Sequence, residues 1–186
     1  MAQIILTRND LIKIAAFSHA MQKTGTRHWL NSAFFDDNKI VMADGHRMVA
    51  IAMEETNEPV KAIVPREAIE FIVKNMDKET KQVSLKFTDK TVSISFGGIQ
   101  HLFTLIDAAI PDWRRCIPSE PYGEYTPQIS FSVAYMIDIC KAHKLLWKEK
   151  VTNKLGVSLS ATDATTPIFV NFGIDGVQYV LMQMRD

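Results

Sequence analysis

At 186 residues, 47% hydrophobic and 23% charged, the chain has the composition of an ordinary globular protein, long enough for one or two cored domains. Its 21 basic residues balance 21 acidic ones, which excludes a partner advertised by overall charge and leaves only local basic faces to consider. No apolar run approaches the roughly 20 residues of a membrane span, Met1 leads into a segment without a basic n-region, and Cys116 and Cys140 sit in no CxxC or Cys/His ligand spacing, so reduced thiols in a cytoplasmic protein without metal or cofactor are expected.

The segment from Gln3 to Thr7 reads as a strand, with Thr7 or Asn9 able to cap the helix that follows. In that helix Leu11, Ile14, Phe17 and Met21 form an apolar stripe, and Lys13, Ala16, Ala20 and Lys23 form a small, basic outer face. Two strands follow, Trp29 to Phe35 and Ile40 to Met53. The second contains VMADGHRMVA, in which Asp44-Gly45 tolerates the positive φ of a tight turn or bulge, with His46 and Arg47 beside it. Taken alone, such a pair is usually only a turn.

A second unit opens with KAIVP from Lys61 and a helix started by Pro65, where a missing N–H costs nothing. Ile69, Ile72, Val73 and Met76 have the spacing of a buried face, and Glu67, Glu70, Lys74 and Lys78 occupy the other side. Gln82 to Thr88 and Thr91 to Phe96 alternate strictly and predict a half-buried hairpin turned at Asp89-Lys90. A strand from Gln100 to Ile106 and the extended, aromatic and basic segment PDWRRCIP complete the unit. The proline-rich stretch around residues 120–127 predicts a linker between a domain at 1–119 and a half-domain at 128–186.

The third unit opens with QISFS and a helix from Val133. Met136, Ile139, Cys140, His143, Leu146 and Trp147 share one face, and Lys141, Lys144 and Lys148 the other. Strands are expected at Val157 to Ala161, Ile168 to Phe172 and Gln178 to Arg185. VSLKFTDKTVSIS from Val83 matches VSLSATDATTPIF from Val157, so the chain reads as three strand-helix-strand-strand-strand units of α+β class. Such units pair to bury both helix and sheet, so an odd number leaves open strand edges that call for another chain. Paired head to tail, the module would close into a ring. Lysines on the helix faces suit a surface that tracks phosphates without reading bases, although a solvated helix face explains any one of them as well.

The segments LNSAFF, VMADGHRMVA, IVPREAIEFI, LIDAAIPDWRRCIP, ISFSVAYMIDIC and YVLMQMRD occur in order, and with them the chain resembles the bacterial sliding clamp family, the β subunit of DNA polymerase III. The resemblance covers a complete middle domain and the second half of the last domain. It implies the DNA-clamp fold, a ring of twelve units with helices lining a channel for double-stranded DNA, and no enzymatic activity or cofactor. Three units per chain would close that ring as a homo-oligomer of four, although a smaller ring, an open dimer or a partner of another clamp would also fit.

The resemblance further implies a pocket for peptides of DNA polymerase or other clamp-binding proteins, formed by Leu30, Gly45, His46, Arg47, Met48, Pro118, Tyr135, Val180, Met182, Met184 and Arg185. Met and Leu walls adapt to apolar anchors, while His46 and Arg47 could bond peptide carbonyls or an acidic flank. Ala43, Ser132, Thr165, Pro167 and Gln183 depart from the family pattern. The DNA-facing residues would be Lys13, Lys23, Lys74, Lys78, Lys141, Lys144 and Lys148. Two other readings remain. Asp36, Asp37, Asp44 and His46 could be imagined as an acid–base or metal cluster, but no catalytic spacing supports an enzyme. A clamp-like adaptor or decoy that binds the same peptides would have no need of the lysines.

Overall fold

The computed structural model describes residues 2–23, 28–54, 59–117, 131–147, 157–161 and 166–183. The first unit comprises β1 (Ala2–Thr7), α1 (Arg8–Phe17), β2 (Ser32–Asp37), β3 (Lys39–Ala43) and β4 (Arg47–Ala52). The second comprises β5 (Val60–Pro65), α2 (Arg66–Asn75), β6 (Gln82–Phe87), β7 (Thr91–Phe96) and β8 (Ile99–Thr104). The third comprises α3 (Val133–Leu146), β9 (Ser158–Ser160), β10 (Ile168–Asn171) and β11 (Val177–Leu181). The predicted linker, the start of QISFS, and Lys148, Thr165, Pro118, Met184 and Arg185 lie outside the described residues. Among the described residues no helix is long and apolar enough to cross a membrane.

Sequence periodicity places the elements to within a few residues; the segment PDWRRCIP, expected to be extended, instead turns through a 3-10 helix at Trp113–Cys116, and two strands also differ. The strand expected from Trp29 begins as a 3-10 turn over His28–Leu30, and the long strand expected from Ile40 is a hairpin, β3 and β4, divided at Asp44-Gly45. The start of α1 follows from chemistry at Thr7. Its hydroxyl accepts from the Asp10 N–H at 3.2 Å while the Asp10 carboxylate accepts from the Thr7 N–H at 2.9 Å, a capping box that satisfies two otherwise orphaned donors.

The first two units are joined by exchanging first strands. β1 lies antiparallel to β6 of the second unit, and β5 lies antiparallel to β2 of the first. One sheet is therefore β1-β6-β7-β8. The other has seven strands, β5-β2-β3-β4-β11-β10-β9, because β11 pairs antiparallel with β4 and carries the sheet into the third unit.

The strands β2, β3 and β4 are apolar almost without alternation because this sheet is covered on both faces. Phe35, Met42, Val49, Ile51 and Tyr179 face the helix layer in the larger core, with Leu11, Ile14, Ile69 and Ile139. Phe34, Val41, Met48, Ala50 and Val180 face the other way, under Trp113, Ile106 and Ile110 of the segment that follows β8. That segment is anchored where the Ile106 N–H donates to the Ile63 carbonyl at 3.0 Å. By contrast β6 and β7 alternate, each having only one covered face.

Two expectations about the helices are corrected. Lys13, Ala16 and Ala20 are not an outer face of α1: all three are buried. Lys13 lies in the field of Glu54, just past β4, and Phe17 meets Phe172 and Tyr179 of the third unit at ring separations of 5.2 and 5.7 Å, so this flank of α1 turns into the joint where α3 packs. On α3, Ile139 and His143 are buried as expected, but Met136 and Cys140 are exposed. Cys140 is thus not a packing residue.

Candidate functional site

The joint of the first and third units begins with the turn that divides β3 from β4. Gly45 adopts φ +94°, a region closed to most side chains, and the Asp44 carboxylate closes the turn by accepting the N–H groups of His46 at 2.9 Å and Arg47 at 3.0 Å. The His46 carbonyl in turn accepts from the Met182 N–H at 2.7 Å, which extends the β4·β11 ladder past Leu181. At the far end Gly176 takes φ +75° and its carbonyl accepts from the Ala52 N–H at 2.7 Å; a Cβ there would lie 3.2 Å from that of Ala52.

Arg47 fastens the third unit to the first. Its Nε donates to Asp44 at 2.9 Å, its Nη1 to Asp138 of α3 at 2.7 Å and its Nη2 to the carbonyl of His19, beyond α1, at 2.9 Å. The guanidinium also lies 4.7 Å from the centre of the Tyr135 ring. Burial acts to raise the Asp138 pKa, but the Arg47 hydrogen bond and the surrounding positive charge hold it below the usual carboxylate range. Burial also pushes the Tyr179 phenol up to about 12 and lowers His19, whose Nε2 lies 3.4 Å from the Tyr179 hydroxyl.

On the opposite face of the sheet the same joint carries an apolar cavity of about 190 Å³. Met48 and Val180 stand directly opposite each other on β4 and β11 and form its floor with Phe34; Trp113 forms one wall, and Trp29 and Met182 stand half-exposed around it. Trp113 is fixed by its indole N–H, which donates to Asp36 at 2.8 Å, and by Arg114, which bonds the same carboxylate and covers the ring at 4.3 Å. Burial would raise the Asp36 pKa, but these two hydrogen bonds lower it overall. A larger depression of about 880 Å³ lies along the same segment, lined by carboxylates and cations such as Asp36, Lys61, Asp107 and Arg114 together with apolar residues such as Ile63 and Leu105, and lacks the aromatic walls.

Of the residues expected to line a pocket, Leu30, Gly45, Arg47, Met48, Val180 and Met182 do so. His46 is exposed beside the cavity without lining it, and Tyr135 packs on Arg47 instead. Arg47 lines the cavity while each of its three nitrogens also donates within the protein, so it serves the joint as well as the pocket wall. Trp29, Phe34, Pro111, Asp112, Trp113 and Cys116 line the cavity without having been expected there. The unusual aromatic and basic segment PDWRRCIP was the signal for four of them. Asp36, considered as part of an acid–base cluster, is engaged by Trp113 and Arg114.

Of the lysines expected to face DNA, Lys23, Lys74, Lys78, Lys141 and Lys144 are exposed, and Lys13 is buried. Lys74 pairs with Glu70 at 3.3 Å and Lys141 with Asp138 at 3.5 Å.

The sequence matches the family model of the DNA polymerase III beta subunit, central domain, over residues 6–112. It is 26% identical over 121 residues to the beta sliding clamp of Salmonella typhimurium, covering 62% of this chain and 32% of that protein. With the beta sliding clamp of Caulobacter vibrioides the identity is 28% over 131 residues, 64% of this chain and 35% of that one. The chain thus spans about a third of these curated relatives. Among solved structures, the sliding clamp of Bartonella birtlesii bound to griselimycin superposes with a TM-score of 0.79 at 19% identity, covering 100% of this chain and 66% of that one. The clamp of Caulobacter crescentus gives 0.77 at 22% identity, covering 99% and 65%. These likenesses show the clamp fold.

Proposed function

The chain belongs to the DNA polymerase III beta subunit family, and from that footing we propose that it is a processivity factor that closes as a homo-oligomeric ring around duplex DNA and holds a polymerase by a peptide seated between Met48, Val180 and Trp113. The observation that carries this reading is the continuous seven-stranded sheet, which has a helix layer on one face and the aromatic-walled cavity on the other. A protein that slides needs those two faces separate, one for the phosphate backbone and one for its cargo. Exposed lysines at Lys74, Lys141 and Lys144 support a sequence-independent contact with phosphates. The apolar cavity suits one or two bulky side chains of an extended peptide.

Four chains of three units would supply the twelve-unit ring that the family resemblance implies, with cytoplasmic residence as befits a replication factor. The domain division at about residue 119 belongs to the same proposal. The test of the cargo site is fluorescence anisotropy with a labelled short peptide bearing two adjacent bulky apolar residues. Met182→Asp, at a half-exposed position beside the cavity, should weaken binding on the order of tenfold, about 1.4 kcal/mol; undiminished binding would place the partner elsewhere.

A further inference from the structure

The three units occupy unequal surroundings, and the inequality identifies a surface. The fourth residue of each helix is Leu11 in α1, Ile69 in α2 and Met136 in α3. The first two are fully buried and Met136 is 36% exposed. Around it on α3, Val133 and Ile137 are 77% and 53% exposed and Cys140 is exposed. In the first two units this helix position is sealed because each unit donates its first strand to the other: β1 lies beside β6, and β5 beside β2. The strand equivalent to β6 and β2 in the third unit is β9, and among the described residues it ends its sheet with nothing beyond it.

Both kinds of joint in this molecule join like to like. The first and second units meet by reciprocal exchange, first strand to first post-helix strand in both directions. The first and third meet last strand to last strand, β4 with β11. Each therefore has the pattern of a two-fold contact. Among the described residues the chain presents one unfilled side of each kind: the α3–β9 side of the third unit, and β8, the last strand of the second. β4 and β11 are largely buried, whereas β8 is exposed almost throughout, with Ile99 at 42% and Leu102 at 62%. Only 13 residues, 118–130, separate Ile117 from Phe131, too few for a strand-helix-strand-strand-strand unit that would fill the gap from within.

We infer that the open face of α3 and the edge of β9 bind the same surface of a second copy of this chain, about a two-fold axis, completing between two chains the paired arrangement that the first and second units make within one. The occupant is a second copy because one half-domain is complemented by another half-domain, and reciprocity makes the two contributions identical. β8 meets β8 of a further copy in the manner of β4 and β11. Chains then alternate in direction around the assembly, in place of the head-to-tail order expected from the sequence. This arrangement rests on the ring proposed above.

Sedimentation velocity on the full chain and two sets of surface variants separates these possibilities. Met136→Glu with Ile137→Glu blocks the α3 side, and Ile99→Glu with Leu102→Glu blocks β8. In a like-to-like ring each set alone halves a four-chain assembly to dimers, and the two together give monomers. In a head-to-tail ring either set alone gives monomers, which would overturn the inference and leave the ring standing. A parent chain that is monomeric at all concentrations would overturn the ring and this inference with it. An unchanged mass in the α3 variant would overturn the inference alone. Crosslinking of mixed unlabelled and nitrogen-15 chains tests it without substitution. Lysines 141 and 144 should link between copies to each other, and links from them to Lys90, near the β8 end, would contradict it.

Discussion

The two sides of the third unit make an instructive contrast. Toward the first unit, α3 and β11 are stitched by a full ladder, an aromatic cluster and a buried guanidinium that bonds three separate segments. On the other side, the same helix presents Val133, Met136 and Ile137 to solvent. The residues on the bare side are no more polar than those that α1 and α2 bury. Burial here is decided by whether a partner unit stands alongside, and the helix pattern alone does not reveal that.

The sharpest way to break the contrast is Arg47→Ala. It leaves the Asp44 carboxylate without its cation and Asp138 with only the exposed Lys141, in a largely buried site, which should cost roughly 3–5 kcal/mol. Urea unfolding measures the loss, and amide exchange should show α3 losing protection first; an unaltered α3 would remove Arg47 as the fastening. Trp113→Ala takes the wall from the cavity and the cover from Met48 and Val180, and truncation of a buried Trp should cost about 3–5 kcal/mol. It should also abolish anisotropy of the apolar peptide, and preserved binding would separate the cavity from the cargo site. Gly45→Ala forces a side chain into φ +94° and should cost roughly 1–2 kcal/mol by thermal unfolding; a neutral result would mean that the turn relaxes without consequence.

Acid should loosen the stitched side and spare the bare one. Asp138 has a folded pKa below its ordinary range, so its contribution is complete above the unfolded value near 3.9 and is lost as pH falls through the lowered folded value. Exchange of the α3 amides should therefore accelerate as pH drops below about 4, after correction for intrinsic rates; tighter protection there would reverse the sign. The smallest effect on stability, roughly 0.5 kcal/mol or less, is expected for Lys141→Ala with Lys144→Ala, both exposed. The same pair should flatten the salt dependence of DNA retention by about two phosphate contacts, and an unchanged slope would take α3 out of the channel.

Much of this fold was legible because its signals are local. The capping pattern at Thr7, the alternation of β6 and β7, and the repeat between Val83 and Val157 each need only a few neighbouring residues. Asp44-Gly45 announced its turn for the same reason. What escaped depends on distant partners. Lys13 sits on a helix flank that reads as solvent-facing until Glu54 and the third unit come alongside. The fastening role of Arg47 was not legible because Asp138 is 91 residues away, and nothing near either residue signals the pair. The cavity was half legible: its floor follows from Met48 and Val180, but its wall at Trp113 comes from a segment whose docking on the sheet depends on Asp36, 77 residues earlier.

The central claim, that three units are an incomplete set completed by further copies, is tested most directly by light scattering of the full chain over a dilution series. A mass of four chains that survives dilution is the predicted result. A mass of one chain at every concentration would contradict it, leaving the groove of Met48, Val180 and Trp113 on a protein that encircles nothing.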